Sequence, residues 1–264
     1  LITGVKDQDH LSFVYRTGIG GLWLWGFAIQ ASLADIGERK DVIKVANMSF
    51  GSNYSEGAAT IYRRLFAAAP DVLFVAAAGN SSLPAAQKLP CALAMELDNV
   101  ICIGATKQQD ERAGFSNHGD GVDLAAPGVS VWTTRPQYPG EYGSFSGTSA
   151  SAPMVSGVAA VLRSIDPDLS AADTKRLLVD TAEQIIVCTI SADPCPAADV
   201  ETWYRLDANS AVATLLPGVP IPTPTTTPTL VPMPSPTLTP SPTATPTPEP
   251  TLVSTPVPTP VPTP

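Results

Sequence analysis

Residues 56–80 read EGAATIYRRLFAAAPDVLFVAAAGN and combine the two patterns that decide the fold. Residues 56–69 have the apolar spacing of an amphipathic helix, and Pro70-Asp71 ends that pattern. Residues 72–78 form a short apolar run that stops at Gly79-Asn80, which is typical of a buried strand. A helix followed directly by such a strand is the repeating unit of a parallel α/β sheet, so this stretch predicts that architecture.

The same alternation extends in both directions along the chain. Upstream, residues 22–39 predict a helix and residues 42–50 a strand. Downstream, strands are predicted at 100–104, 122–126 and 129–133, and helices at 149–164 and 170–181, the last capped by Ser170. The sequence therefore predicts an α/β fold. Its chemistry is expected at the carboxyl ends of the strands, in the loops at 49–53 and 77–80 and on the approach to Ser149.

The composition divides the chain into two parts. Between Pro217 and Pro264 lie 18 of the 28 prolines, interspersed with Thr and Ser, and the only charged side chain there is Glu249. Such a segment buries nothing, so we predict a globular domain at residues 1–216 and a disordered Pro/Thr-rich stalk or linker at 217–264. A stalk of this kind would separate a catalytic domain from a cell surface or from a further module.

The charge pattern excludes several kinds of partner. The net charge is −9, and no Lys/Arg cluster is longer than Arg63-Arg64, which argues against nucleic acid or an anionic membrane surface. The apolar stretch at residues 21–33 is shorter than the roughly 20 residues that a transmembrane helix needs, so no membrane span is predicted.

The four cysteines form two sequence-local pairs, Cys91 with Cys102 and Cys188 with Cys195. They lack the spacing of a zinc site, so two short-loop disulfides are expected, with four buried free thiols as the alternative. Disulfides persist outside the cytosol, which together with the stalk predicts an extracellular or cell-surface protein.

Residues 147–160 read GTSASAPMVSGVAA and place Ser149 at the predicted start of a helix built mostly of small residues. A helix N-terminus offers partial positive charge and free N–H groups, which favour the negative charge that develops in acyl transfer. Pro153 is expected in the first turn, where its missing N–H matters little. A serine that merely caps a helix is the alternative explanation.

This string resembles the nucleophile motif of the subtilase family of serine proteases, with Ser149 at the nucleophile position. Ala150 and Met154 depart from the Met and His that are usual there, at positions that carry no chemistry. Residues 45–51, VANMSFG, resemble the strand that binds substrate backbone, and residues 75–80, VAAAGN, resemble the segment that walls the primary specificity pocket and ends in the oxyanion-hole asparagine. The resemblance implies as catalytic residues Ser149 and Asn80, and as substrate-binding residues Ser49, Phe50, Gly51, Ala77, Ala78 and Gly79.

The resemblance covers about residues 2–212 and implies a subtilisin-like three-layer sandwich with a mostly parallel sheet. It also implies a secreted serine endopeptidase that hydrolyses protein or peptide substrates through an acyl-enzyme on Ser149. No cofactor is evident in the sequence, no metal ligands are predicted, and calcium is implied by the family alone.

The general base that Ser149 would need is not apparent in the sequence. His10 and His118 are the two histidines, and neither resembles the histidine segment of subtilases, so both are predicted to be solvated loop residues. The family carries Asp, His and Ser in that order, with the His about 150 residues before the Ser, a count that ends at or just before Leu1. We therefore expect an N-terminally truncated catalytic domain that lacks its Asp and His and is inactive by itself.

Two other functions stay open. One is a non-catalytic, subtilase-like extracellular binding module, although such a module has no use for both Ser149 and Asn80. The other is an esterase of the α/β-hydrolase type, although no Gly-x-Ser-x-Gly elbow surrounds Ser149.

Overall fold

The computed structural model describes residues 32–134, 142–190 and 195–216. Residues 32–38 are helical (α1) and belong to the helix predicted at 22–39, of which residues 22–31 lie outside the described ranges. The other helices are α2 (Glu56–Ala67), α3 (Thr148–Ile165), α4 (Ala171–Asp180) and α5 (Ala208–Leu215). The strands are β1 (Val45–Met48), β2 (Ser52–Asn53), β3 (Leu73–Ala77), β4 (Lys88–Leu89), β5 (Val100–Thr106), β6 (Leu124–Pro127), β7 (Val131–Thr134), β8 (Tyr142–Phe145), β9 (Glu183–Cys188) and β10 (Val200–Arg205).

Within the described ranges the central sheet has six strands in the order β1-β3-β5-β6-β10-β9. The first five strands in this order pair in parallel with their neighbours, and the last strand, β9, is antiparallel to β10. The predicted strand at 129–133 lies elsewhere, because β7 pairs with β8 in a separate two-stranded sheet. The predicted α/β class with a mostly parallel sheet is confirmed.

Successive side chains of β3 enter two different cores, as the alternation of a strand requires. Phe74 packs on the face covered by α1 and α2, where its ring lies 4.3 Å from that of Phe66. Leu73 and Val75 pack on the opposite face, which is covered by α3, α4 and α5. The same cluster contains Leu162 of α3 and Leu178 of α4. Because both faces of the sheet are covered by helices, the three-layer sandwich that the resemblance implied is confirmed.

The predicted helix starts are correct at α4 and need revision at α3. Ser170 caps α4, since its hydroxyl accepts a hydrogen bond from the N–H of Asp173 at 3.0 Å. Pro153 was expected in the first turn of its helix, but α3 begins at Thr148, so Pro153 is the sixth helical residue. Its missing N–H therefore leaves a helical carbonyl without its usual donor.

Both predicted disulfides are present, Cys91–Cys102 and Cys188–Cys195, so the alternative of free thiols is wrong. The first links the 3₁₀ turn Cys91–Met95 to the buried central strand β5. No helix in the described ranges has the length and apolar character that crossing a membrane would require. The predicted stalk at 217–264 lies outside the described residues.

Replacement of the cap of α5 tests the local account of helix starts. Asp207 accepts from the N–H of Ser210 at 2.9 Å, and this hydrogen bond holds the pKa of the Asp207 carboxyl below its usual value. We expect Asp207→Ala to lower the free energy of unfolding by about 1 kcal/mol at neutral pH, which shifts Tm by roughly 2–4 °C. A carboxyl with a depressed folded pKa stabilises above its unfolded pKa, so the difference from wild type should shrink as pH falls below about 4.

The control is Asp207→Asn, which keeps the acceptor and removes the charge. It should melt within about 1 °C of wild type at neutral pH. Thermal melts of wild type and Asp207→Ala that coincide at neutral pH would contradict this account.

Candidate active site

The parallel sheet brings the three predicted loops to one edge. In the register of β1 with β3, Asn47 lies opposite Val75 and Met48 opposite Ala76, so both strands end together. The residues that follow β1 and β3 therefore leave the sheet side by side. The start of α3 lies against both, because Ser49 and Asn80 each form hydrogen bonds with its first turn.

The side chain of Asn80 is fixed by Thr148, the first residue of α3. The Asn80 Oδ1 accepts from the Thr148 N–H at 2.9 Å and from the Thr148 hydroxyl at 3.0 Å. A backbone N–H can only donate, so the atom that faces it is the amide oxygen and the amide nitrogen points elsewhere. Thr148 is fully buried and its Oγ1 also accepts from the N–H of Gly79 at 3.1 Å. The sequence interpretation gave Thr148 no role, although it directly precedes Ser149.

Because Oδ1 of Asn80 faces Thr148, its Nδ2 can donate hydrogen bonds to a group at the start of α3. Its Nδ2 lies 3.5 Å from the point that a Cβ on Gly147 would occupy. The N–H of Ser149 is the second of α3, and the first four N–H groups of a helix have no acceptor within it. Two kinds of donor, one from a side chain and one from the backbone, thus lie at the positive end of a helix of 18 residues.

Ser149 and Ser49 exchange hydrogen bonds. The Ser149 hydroxyl donates to the Ser49 carbonyl at 3.2 Å, and the Ser49 hydroxyl donates to the Ser149 carbonyl at 3.0 Å. The Ser149 carbonyl is the one that residue 153 would bond four residues later in a regular helix, and Pro153 has no N–H to give. The Ser49 hydroxyl supplies the missing donor. We therefore expect the energetic effects of Ser49 and Pro153 to be coupled, because both act on the Ser149 carbonyl.

The Ser49 hydroxyl also accepts a hydrogen bond, from the side chain of Asn47. It accepts from Asn47 Nδ2 at 3.0 Å, and Asn47 Oδ1 accepts from the hydroxyl of Ser156 on α3 at 3.1 Å. The end of β1 is therefore hydrogen-bonded to α3 at two points, Ser149 and Ser156, which lie about two turns apart.

The predicted substrate-binding residues form two neighbouring segments at the same edge. A Cβ on Gly51 would lie 2.9 Å from the carbonyl oxygen of Leu89, so this close approach requires glycine. Gly79 has a φ of +101°, and a Cβ there would lie 2.6 Å from Asn117 Nδ2. The side chains of Phe50, Ala77 and Ala78 pack into the cores beneath, so Ala77 and Ala78 offer only backbone to the edge.

Asn117 is a second residue whose role the sequence interpretation missed. Its Nδ2 donates to the Ala78 carbonyl at 2.7 Å, and its Oδ1 accepts from the N–H groups of Ser81 and Leu83. The fully buried Asn117 side chain therefore fixes the chain on both sides of Asn80.

The predicted solvation of His118 is wrong. Its side chain is 20% exposed, and its Nδ1 lies 3.3 Å from a carboxylate oxygen of Glu201 on β10. The same carboxylate accepts from the N–H of Gly119 and from Trp203 Nε1, so Glu201 fixes this turn against the sheet. None of the contacts found in the described ranges joins His118 to Ser149, and His10 lies outside those ranges.

Comparison with known proteins identifies the family to which this geometry belongs. A sequence model of the subtilase family of peptidases (Peptidase_S8) matches residues 24–213. The chain belongs to the subtilase family. The matched range includes Ser49, Asn80 and Ser149. The described residues of this subtilase contain no cluster of three or more His, Cys, Asp or Glu side chains that could hold a metal ion.

Named relatives of this subtilase are proteases. Alkaline elastase YaB from Bacillus sp. (strain YaB) is 41% identical over 142 residues, which cover 53% of this chain and 35% of that protein. Subtilisin Savinase from Lederbergia lenta is 38% identical over 143 residues, with 53% of this chain and 49% of that protein covered. The crystal structure of a cold adapted subtilisin-like serine proteinase superposes with a TM-score of 0.56 at 27% identity, over 69% of this chain and 61% of that one. The subtilase described here thus spans about a third to a half of these curated relatives.

A double-mutant cycle tests the coupling between Ser49 and Pro153. Ser49→Ala leaves the Ser149 carbonyl without a donor, so the free energy of unfolding should fall by about 1–2 kcal/mol. Pro153→Ala restores the N–H that a helix gives to that carbonyl, so Ser49→Ala should cost less in that background. We expect a coupling energy of about 0.5–1.5 kcal/mol from denaturant unfolding of the four proteins.

The matched control is Ser52→Ala, since the exposed Ser52 hydroxyl bonds, among the described residues, only to the carbonyl of Asn53, at 3.3 Å. Its effect should stay within about 0.5 kcal/mol. Strict additivity of the Ser49 and Pro153 replacements would show that the two residues do not share the Ser149 carbonyl.

Proposed function

We propose that this subtilase is a serine endopeptidase whose nucleophile is Ser149 and whose oxyanion hole consists of the Asn80 amide and the Ser149 N–H. The observation that carries the proposal is the double hydrogen bond from Thr148 to Asn80 Oδ1. It orients the Asn80 amide in advance, so that its N–H groups are available beside the first turn of α3. Donors that are already in place need no reorganisation when charge develops, which is the main source of their catalytic effect.

The proposed reaction proceeds in two steps. The Ser149 Oγ attacks the substrate carbonyl carbon while a general base takes the hydroxyl proton, and the resulting oxyanion accepts from Asn80 Nδ2 and the Ser149 N–H. The tetrahedral intermediate then collapses: the C–N bond breaks, and the base returns the proton to the leaving amine. Water repeats the sequence on the acyl-enzyme and releases the carboxylic acid product.

Among the described residues, none of the contacts of Ser149 is with a group that could act as its general base. The Ser149 hydroxyl donates to the Ser49 carbonyl, and a neutral amide oxygen is far too weak a base to accept its proton. We propose that Asp and His come from residues that precede Leu1 in the parent protein. Residues 1–264 alone would then retain only binding and oxyanion stabilisation, and their turnover would be slow.

The substrate would lie in extended form along the residues that follow β1. An extended peptide can pair its backbone with such a segment. The two segments Ser49–Gly51 and Ala77–Gly79 would line the cleft, with protein or peptide as the substrate. Secretion is consistent with the two disulfides and with a relative from Xanthomonas campestris pv. campestris that is named an extracellular protease, 34% identical over 148 residues, which cover 54% of this chain and 25% of that protein.

The competing function is a non-catalytic extracellular binding module. The observation in its favour is that Ser149 bonds to Ser49 rather than to a histidine in the described ranges. The sequence of the parent gene upstream of Leu1 separates the two: an Asp-x-Gly strand end and a His-Gly-Thr helix start support the protease, and the absence of both supports the binding module.

Replacement of the two proposed catalytic residues tests the mechanism in the parent polypeptide. Ser149→Ala should abolish acylation, seen as loss of both peptide hydrolysis and labelling by a fluorophosphonate. Asn80→Leu should reduce kcat by roughly 10²- to 10³-fold, a figure that we carry over from the corresponding type of replacement in subtilisin, with little change in KM.

Ser164→Ala is the matched control, because Ser164 is an exposed serine at the other end of the same helix. Its activity should equal that of wild type. Full activity in Ser149→Ala, or a label on another residue, would refute the proposed nucleophile.

A further inference from the structure

The chain that follows Asn80 returns to the proposed cleft at β4. There Asn53 pairs with Lys88 and Ser52 with Leu89, in an antiparallel pair with β2. Since β2 begins directly after Gly51, strand β4 lies alongside the segment proposed to bind substrate. The 2.9 Å distance from the Leu89 carbonyl oxygen to a Cβ position on Gly51 confirms that proximity.

The Lys88 side chain runs between the two segments that line the cleft. Its Cγ lies 3.5 Å from the point that a Cβ on Gly79 would occupy, and its Nζ donates to Asn53 Oδ1 at 2.6 Å. The aliphatic part of the Lys88 side chain therefore passes Gly79, and its ammonium group reaches Asn53 in β2.

Lys88 differs in its charge environment from the other partly buried lysines among the described residues. Lys44, Lys107 and Lys175 each lie within 3.3 Å of a carboxylate oxygen. Among the described residues no ion pair includes Lys88, although its side chain is partly buried, and its hydrogen-bond partner is a neutral amide. The Lys88 ammonium group would gain more from a carboxylate than from an amide oxygen, because charge-assisted hydrogen bonds are roughly twice as strong.

We propose that Lys88 makes this protein select peptides with an acidic side chain, Glu or Asp, at the residue whose carbonyl Ser149 attacks. The inference rests on the proposed function, since that residue must place its carbonyl at Asn80 and Ser149. Its side chain then enters the space between Gly51 and Gly79, where Lys88 lies. The substrate carboxylate replaces Asn53 as the partner of the ammonium group.

The test compares four peptides that differ only at the residue before the cleaved bond: Glu, Gln, Leu and Lys. In the parent polypeptide kcat/KM should be at least about tenfold higher for Glu than for the isosteric Gln, because a charge-assisted hydrogen bond is roughly twice as strong as a neutral one. The ratio should fall with added salt. Lys88→Gln should remove the preference, and Lys88→Glu should favour the Lys peptide.

The control is Lys40→Gln, at an exposed lysine that precedes the amino end of β1 and so lies away from the carboxyl edge. It should keep the full preference for Glu. Equal rates on Glu and Gln peptides in wild type, or a Glu preference that survives Lys88→Gln, would overturn the inference while leaving the protease itself intact.

A second readout does not depend on turnover. Calorimetry of residues 1–264 with N-acetylated peptide acids that end in Glu or Gln at the same residue should show tighter binding of the Glu peptide, lost in Lys88→Gln. If no peptide is cleaved but this difference is present, the proposed protease function fails and the proposed role of Lys88 stands. If peptides are cleaved and the difference is missing in both assays, the proposed role of Lys88 fails.

Discussion

The hydrogen bond from the backbone of Thr148 to Asn80 Oδ1 is the constraint on which the site depends. It joins the loop after β3 to the first residue of α3, and it fixes which end of the Asn80 amide faces the helix. The surrounding contacts position the two partners: Gly79 donates to Thr148 Oγ1, and Asn117 holds the chain before and after Asn80. The contact between Thr148 and Asn80 therefore ties the position of the amide to that of the adjacent Ser149.

Helix α3, which carries Ser149, can take this position because the residues in its first turns have small side chains. A Cβ on Gly128 would lie 2.4 Å from Ser151 Oγ and 2.6 Å from the Cβ of Ala105, so the loop after β6, the strand β5 and the helix meet with no space left. Ala152 and Ala159 are fully buried in the same layer. Close packing of this kind holds the N-terminus of α3 at the carboxyl edge, where its positive end faces the proposed oxyanion position. Pro153 fits the same design, since the donor that it lacks comes from Ser49 across the cleft.

The parts of this structure that local patterns determine were predictable from the sequence. The alternation at 56–80 gave α2 and β3, because helix and strand periods are properties of neighbouring residues, and the cap at Ser170 is equally local. The exchange between Ser49 and Ser149 joins residues 100 positions apart, and no pattern in either segment encodes it. His118 was misjudged for the same reason, since Glu201 lies 83 positions away. The hairpin of β9 and β10 escaped prediction because exposed Ile186 and Tyr204 break the simple alternation of apolar and polar faces.

The central claim is that Asn80 and the Ser149 N–H together form a prearranged oxyanion hole. The most direct measurement is a crystal structure of the protein with a peptide boronic acid bound, because the boronate oxygen stands in for the oxyanion. The account predicts a tetrahedral boron on Ser149 Oγ, one oxygen at about 2.7–3.1 Å from both Asn80 Nδ2 and the Ser149 nitrogen, and Asn80 Oδ1 still on Thr148. A boronate oxygen that turns away from Asn80, or an Asn80 side chain that leaves Thr148 on binding, would contradict it.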